Sequence, residues 1–248
     1  MKKLLSLLFA LLLVAGLNTF AFATDSDTAT YSGLLPRDPN DALTAQSLTE
    51  EQLAFQAEKQ AFFNSLGDTP LGLSSSSEPT RAWKYLSGGF TVYQQIKENY
   101  CGPAVVYNTL YKLNGRHPDN QEQIATSLGT NTTGTTLIKM VYYINPRIRT
   151  RIYALQYGGT KTTMVNYLYS GLCYEMPPMI GVRCSKQAGW KYNASGHALN
   201  INGCTTDGVT FNLADPLIGY LGLSGAFYNK SATALYSAYN LIDAGLAW

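Results

Sequence analysis

Apolar residues recur at helical spacing in the middle of the chain and alternate, strand-like, toward its end. Val105, Val106, Thr109, Leu110 and Leu113 form one helical stripe behind the stretch Gln95-Ile-Lys-Glu-Asn-Tyr-Cys101-Gly-Pro-Ala, and Asn114-Gly115 supplies its stop. Pro103 suits the first turn of that helix, because the N–H it lacks would have no partner there. Residues 121–128 and 135–144 read as two further helices, joined by the Gly- and Thr-rich residues 129–134, and Asn145-Pro146 ends the second. Earlier, Leu48-Thr49-Glu-Glu-Gln52-Leu53 predicts a helix start in which Thr49 and Gln52 form a capping box and Leu48 staples to Leu53. That helix runs through Phe55, Phe62 and Phe63 to Leu66, ends at Gly67, and reads as amphipathic, so it needs a surface to dock on. Residues 89–93 and 148–157 read as strands and residues 163–170 as a short helix. Residues 178–183, 197–202 and 209–214 are three more strands, with Thr206-Asp207-Gly208 turning the last two into a hairpin. Helices first and an antiparallel sheet after them make an α+β layout.

The ends of the pattern divide the chain. Met1-Lys2-Lys3, a short apolar run to Leu17 and the small-x-small Ala21-Phe22-Ala23 predict a signal peptide over residues 1–23 and an exported protein. The run is too short for a comfortable membrane span, so no stable insertion is expected after cleavage; a retained anchor is the alternative. Residues 24–82 form a polar lead carrying the amphipathic helix and a linker with serines at positions 74–77. This lead is either a spacer or an intramolecular pro-segment that covers a site until cut within the serines. Residues 83–248 form the main domain.

Composition narrows the function classes. The 248 residues are 46% hydrophobic with a net charge of +2, and the basic residues are scattered, which argues against nucleic acid as a partner. The four cysteines, Cys101, Cys173, Cys184 and Cys204, show no metal-ligand spacing, so neither a metal nor another cofactor is expected. Pairing residues 179–184 antiparallel with 197–204 favours a Cys173–Cys204 bridge over Cys173–Cys184, with three reduced core cysteines as the alternative.

Chemistry concentrates at Cys101. A helix start points free N–H groups and the positive end of its dipole at a sulfur placed there, an arrangement that favours a nucleophilic thiolate. A thiol nucleophile needs a base, and the chain has two histidines. His117 lies in the solvating turn Arg-His-Pro-Asp; His197 starts a strand after Ser195-Gly196. One hairpin later comes Ala214-Asp215-Pro216, and antiparallel pairing sets the strand start beside that strand end. Asp215 is therefore placed to hold the His197 imidazole in one tautomer and to stabilise its charged form. Gln95 can offer an amide donor to an oxyanion, a contribution worth roughly 3 kcal/mol where such donors are removed.

Taken together, Gln95-x5-Cys101-Gly-Pro-Ala, Gly196-His197-Ala-Leu-Asn-Ile-Asn-Gly203 and Asp215-Pro216 resemble the papain-like cysteine peptidases of the bacteriocin-processing (C39-like) group, over residues 89–248. The resemblance implies a papain-like fold, with Cys101 as nucleophile, His197 as base, Asp215 as orienting acid and Gln95 as oxyanion donor, acting on a peptide or protein substrate. The sequence departs from the group in Ala214, where asparagine is frequent, and in a long segment 185–195 whose Trp190 and Tyr192 are placed to reshape or cover the cleft. A cell-wall amidase or transpeptidase, and a non-catalytic binding module with an occluded site, are the alternative readings.

Overall fold

The computed structural model describes residues 31–39, 47–67, 82–220 and 223–248. The signal peptide expected over residues 1–23 and the serine linker lie outside the described residues. Helices α1 (Glu50–Leu66), α2 (Cys101–Asn114), α3 (Gln121–Leu128) and α4 (Leu137–Ile144) precede most of the sheet, while α5 (Lys161–Cys173) and α6 (Ala232–Asn240) are threaded between its strands. The strands are β1 (Trp83–Tyr85), β2 (Leu155–Gln156), β3 (Met179–Cys184), β4 (Ala194–Thr205), β5 (Thr210–Ala214), β6 (Phe227–Ser231) and β7 (Leu246–Ala247). They pair in the order β2-β7-β3-β4-β5-β6, every pair antiparallel, with β1 on the far end of β4. The fold is α+β, with helices packed on an antiparallel sheet. Among the described residues no helix is long and apolar enough to cross a membrane.

The central β4 is buried along nearly its whole length and is packed by α2 and α5. Leu199, Ile201, Val182 and Ile180 of the sheet and Val105, Val106 and Leu110 of α2 belong to one continuous core. Burying side chains of this size contributes about 1.5–3 kcal/mol each.

One expected strand is absent and another is cut to two residues, for one physical reason. Residues 89–93 lie extended but unpaired with any strand, because Asn108 of α2 accepts from the Tyr93 N–H at 2.9 Å and donates to the Tyr93 carbonyl at 3.3 Å. Asn145 does the same for Tyr153, accepting at 2.8 Å and donating at 3.1 Å, and of residues 148–157 only β2 reaches a strand partner. An asparagine side chain carries one donor and one acceptor in the spacing of a peptide group, so it can replace a ladder neighbour. The strand in that first region is β1, six residues earlier. The helix expected over 135–144 starts at Leu137, because Thr135 is held in an isolated bridge to Leu34.

Helix α1 has the capping box read from Thr49 and Gln52. It is not the amphipathic helix expected: Leu53 is exposed, so there is no staple, and the buried residues are the polar Gln52 and Lys59. The body presents backbone carbonyls to this helix, and donors satisfy them. Gln52 Nε2 reaches the carbonyls of Asn145 and Arg151, both at 3.2 Å. Lys59 Nζ reaches the Ile152 carbonyl at 2.7 Å and the Trp248 main-chain oxygen at 2.6 Å. Around this polar seam Phe63 stacks on Tyr167 at 3.9 Å, and Phe55 and Phe62 meet the ring of Tyr174 edge-on. Burial lowers the Lys59 amine to about 7.

All four cysteines are free thiols. Cys173 and Cys204 are close enough to influence each other electrostatically but are not bridged.

Candidate active site

Cys101 occupies the first helical position of α2, behind Tyr100, whose side chain caps none of the first-turn N–H groups. Those donors and the dipole end are left for a ligand at the sulfur. Facing the helix start, β4 brings in His197 and, next to it, Ala198, whose N–H donates to Cys101 Sγ at 3.4 Å. His197 Nε2 lies 2.8 Å from Asp215 Oδ1. The structure thus brings together Cys101, His197 and Asp215, each fully buried.

Four donors surround the Asp215 carboxylate. Oδ1 takes His197 and the Leu217 N–H at 2.9 Å; Oδ2 takes the hydroxyls of Tyr192 at 2.6 Å and Tyr228 at 2.8 Å. Burial alone pushes this carboxyl up, yet the charge and hydrogen bond of His197, with Tyr192 and the Leu217 N–H, hold it below the usual carboxylate range. Burial likewise disfavours a charged His197, but the charge and hydrogen bond of Asp215, joined by Cys101, raise it to about 10. With Nε2 committed to Asp215, Nδ1 has no other hydrogen-bond partner among the described residues, and the neighbour acting on it is the Cys101 sulfur.

Gln95 lies beside this group but presents its acceptor. Its Nε2 donates to the carbonyls of Lys97 at 2.7 Å and Glu98 at 2.9 Å, and its Oε1 accepts from the Tyr31 hydroxyl at 2.7 Å. Both amide hydrogens are used by the loop, so an oxyanion donor from Gln95 requires the side chain to turn. His117 sits away from the site, its ring stacked on Tyr107 at 3.5 Å and Tyr111 at 4.6 Å.

Trp190 and Tyr192 do not cover the cleft. Tyr192 lies under Asp215 as a donor, and Trp190 packs edge-on to Tyr228. The segment across the cysteine is the lead itself. Residues 31–35 run extended between β4 and residue 135, making parallel bridges Ser32–Gly196 and Leu34–Thr135. Gly33 N and Leu34 N donate to the Gly196 carbonyl at 2.9 and 3.1 Å, Leu35 N donates to Thr135 O at 2.8 Å, and Thr135 N donates to Gly33 O at 3.2 Å. The Tyr31 ring meets His197 edge-on at 5.3 Å.

The contributions of Tyr31, Tyr192, Tyr228 and the Ala198 N–H were not visible in the sequence.

A thiol, an imidazole and a carboxylate gathered in this way form a cysteine–histidine–aspartate constellation. No protein-family profile matches the chain, and no curated protein matches it in sequence. Among solved structures, it is similar to the peptidase domain of Streptococcus ComA, at 18% identity and a TM-score of 0.43, over 64% of this chain and 95% of that one. A C39-like peptidase from Bacillus anthracis matches at 11% identity and 0.49, over 67% and 96%. The ragweed pollen cysteine protease Amb a 11, in its proform, matches at 10% and 0.47, over 77% and 72%. C39-like peptidase domains and a cysteine protease are thus among the solved structures to which the chain is similar, at low identity.

Proposed function

We propose that the protein is an exported cysteine peptidase that hydrolyses peptide or amide bonds through Cys101, His197 and Asp215. The observation that carries this reading is the buried His197–Asp215 pair at 2.8 Å, set beside a cysteine at an uncapped helix start. The export part rests on the signal-like residues 1–23.

The chemistry is acyl transfer. The Cys101 thiolate adds to the substrate carbonyl carbon, forming a C–S bond and an oxyanion that the Cys101 N–H, and Gln95 once turned, can stabilise. Imidazolium His197 gives its Nδ1 proton to the departing amine as the C–N bond breaks. His197 then takes a proton from water, which attacks the thioester and releases the acid and the thiolate. Asp215 keeps the imidazole oriented through Nε2 throughout.

A peptide-library digest by the full chain and by its Leu34→Asp variant, which frees the cleft of the lead, tests this reading. Products are expected that disappear in Cys101→Ala and His197→Ala and persist at reduced level in Asp215→Asn. Products retained in Cys101→Ala, or none from any form, would overturn it. A zymogram on cell walls run beside the digest separates peptidase from amidase action.

A further inference from the structure

We propose that the groove over Cys101 is a binding site for an extended segment of the pattern aromatic–x–Gly–Leu, and that residues 31–35 of the same chain are its built-in inhibitory occupant. This rests on Cys101 being the reactive group of the site.

The groove is shaped for this occupant. Gly33 passes so close to the sulfur that a Cβ on it would lie 2.6 Å from Cys101 Sγ and 3.2 Å from the Asn99 backbone. On the body side, a Cβ at Gly196 would lie 1.9 Å from the Leu34 carbonyl oxygen, and one at Gly134 would lie 2.2 Å from that of Gly33. Glycine on both sides is what lets two backbones approach this closely. Leu34 is buried to 1% exposure, with Cδ2 against Gly181 beside Ala244. Tyr31 is buried to 4%, its hydroxyl on Gln95 and its ring on His197. Burial first, and the Cys101 sulfur next, push the Tyr31 phenol well above its ordinary value, so it remains a neutral donor.

The occupant lies across the nucleophile with its Tyr31 and Gly33 carbonyls committed to other donors. Hydrolysis needs a carbonyl carbon at Sγ with its oxygen toward the oxyanion donors. The Gly33 carbonyl instead accepts from Thr135 N, and the Tyr31 carbonyl accepts from Ser195 N at 2.9 Å and Ser195 Oγ at 3.3 Å. The Tyr31 phenol fills the space beside Gln95. The segment therefore excludes substrate, with both of these carbonyls held by other donors. Beyond it, Arg37 N donates to the Asp243 carbonyl at 2.5 Å and its guanidinium lies over Tyr157 at 4.8 Å, while α1 docks further along the same lead. Cutting the serine linker would sever the lead from the body but leave both of these anchors in place, so the inhibitor stays bound until α1 and residues 31–37 are also released.

The test is the rate at which iodoacetamide modifies Cys101 in the folded full chain, read by mass mapping of the Cys101 peptide. Gly33→Val and Leu34→Asp alter only the occupant, so each should leave the body folded. In each, modification is expected to be faster than in the unchanged chain by about tenfold or more, the inverse of the small fraction in which the groove is open. A synthetic Tyr-Ser-Gly-Leu-Leu peptide should restore protection to both variants; the same peptide with valine for glycine should not. Equal rates in the unchanged chain and both variants, or no protection by the added peptide, would overturn the proposal. Because the readout is access to sulfur and not turnover, fast modification without any peptide hydrolysis would defeat the peptidase reading and leave this one standing.

Discussion

Replacing Lys59 by methionine is expected to abolish a pH dependence in how firmly α1 holds the body. The amine sits at about 7 when docked and at its ordinary 10.5 when the helix is released. That gap corresponds to an energy on the order of 5 kcal/mol, at about 1.36 kcal/mol for each pH unit. Below pH 7 the amine is protonated in both states and the burial penalty is constant. Between the two values the released helix binds the extra proton, so docking strengthens by up to about 1.4 kcal/mol per pH unit. Above 10.5 the amine is neutral in both states and the gain levels off. From pH 7.5 to 9.5 the population of released helix should fall about fifty- to hundredfold. A neutral amine still has two hydrogens for the Ile152 carbonyl and the Trp248 main-chain oxygen, so the contacts persist as the proton leaves. The assay is native-state cleavage within α1 by an alkaline-tolerant protease, normalised at each pH to an unstructured peptide of the same sequence, under conditions where cutting reports the open population. The Lys59→Met protein should be cut at a rate independent of pH, and faster than the unchanged chain at pH 9.5. Its two buried main-chain oxygens lose their donor, at about 1–3 kcal/mol each. An unchanged chain whose cleavage is flat or accelerates over this range, or a methionine variant that keeps the slope, would refute the reasoning.

Tyr192→Phe and Tyr228→Phe each remove one donor from a buried carboxylate and should each lower stability to urea by ~1.5–3 kcal/mol at neutral pH. The Asp215 carboxyl is depressed in the folded protein, so its contribution is present above the ordinary carboxylate value and lost as pH falls through the folded one. Either variant should move that loss to higher pH in acid-unfolding curves; an unmoved acid limb would count against Asp215 depending on the tyrosines. Asn145→Ala should cost about 2–4 kcal/mol by thermal or urea unfolding, because both buried backbone groups of Tyr153 lose their partner; a cost near zero would mean that the asparagine does not replace a strand.

Legibility followed the range over which each signal acts. The capping box at Thr49 and the helix behind Cys101 depend on residues within one turn, and they could be read directly. The β4–β5 hairpin follows from a short turn between alternating runs, and from it the approach of His197 to Asp215. Residues 89–93 and 148–157 misled because extended backbone satisfied by an asparagine side chain has the same apolar rhythm as a strand. Strand β6, helix α6 and strand β7 went unread, β7 because two residues carry no periodicity. Lys59 and Gln52 defied the rule that a docking face is apolar, since that rule ignores carbonyls waiting on the receiving surface. Tyr31 and Gly33 were hidden for a further reason: their partners are more than sixty residues away, as in the Tyr31–Gln95 bond, and no local pattern encodes such a meeting.

The Lys59 amine joins two main-chain oxygens, and the Trp248 one lies 189 residues further along the chain. Strand β7, just before it, is inserted between β2 and β3 in the sheet. During synthesis the early part of the chain emerges first, and contacts of such separation form last. The Trp248 contacts of helix α1 are therefore among the last to be completed, whereas Asn145, Arg151, Ile152, Tyr167 and Tyr174, which make the rest of its berth, come earlier in the chain. The last anchor of the lead is in this sense a late arrival, a latch set after the rest of the berth is made. A truncation that removes residues 246–248 should loosen α1 by the loss of the Trp248 contacts while its other contacts stay in place.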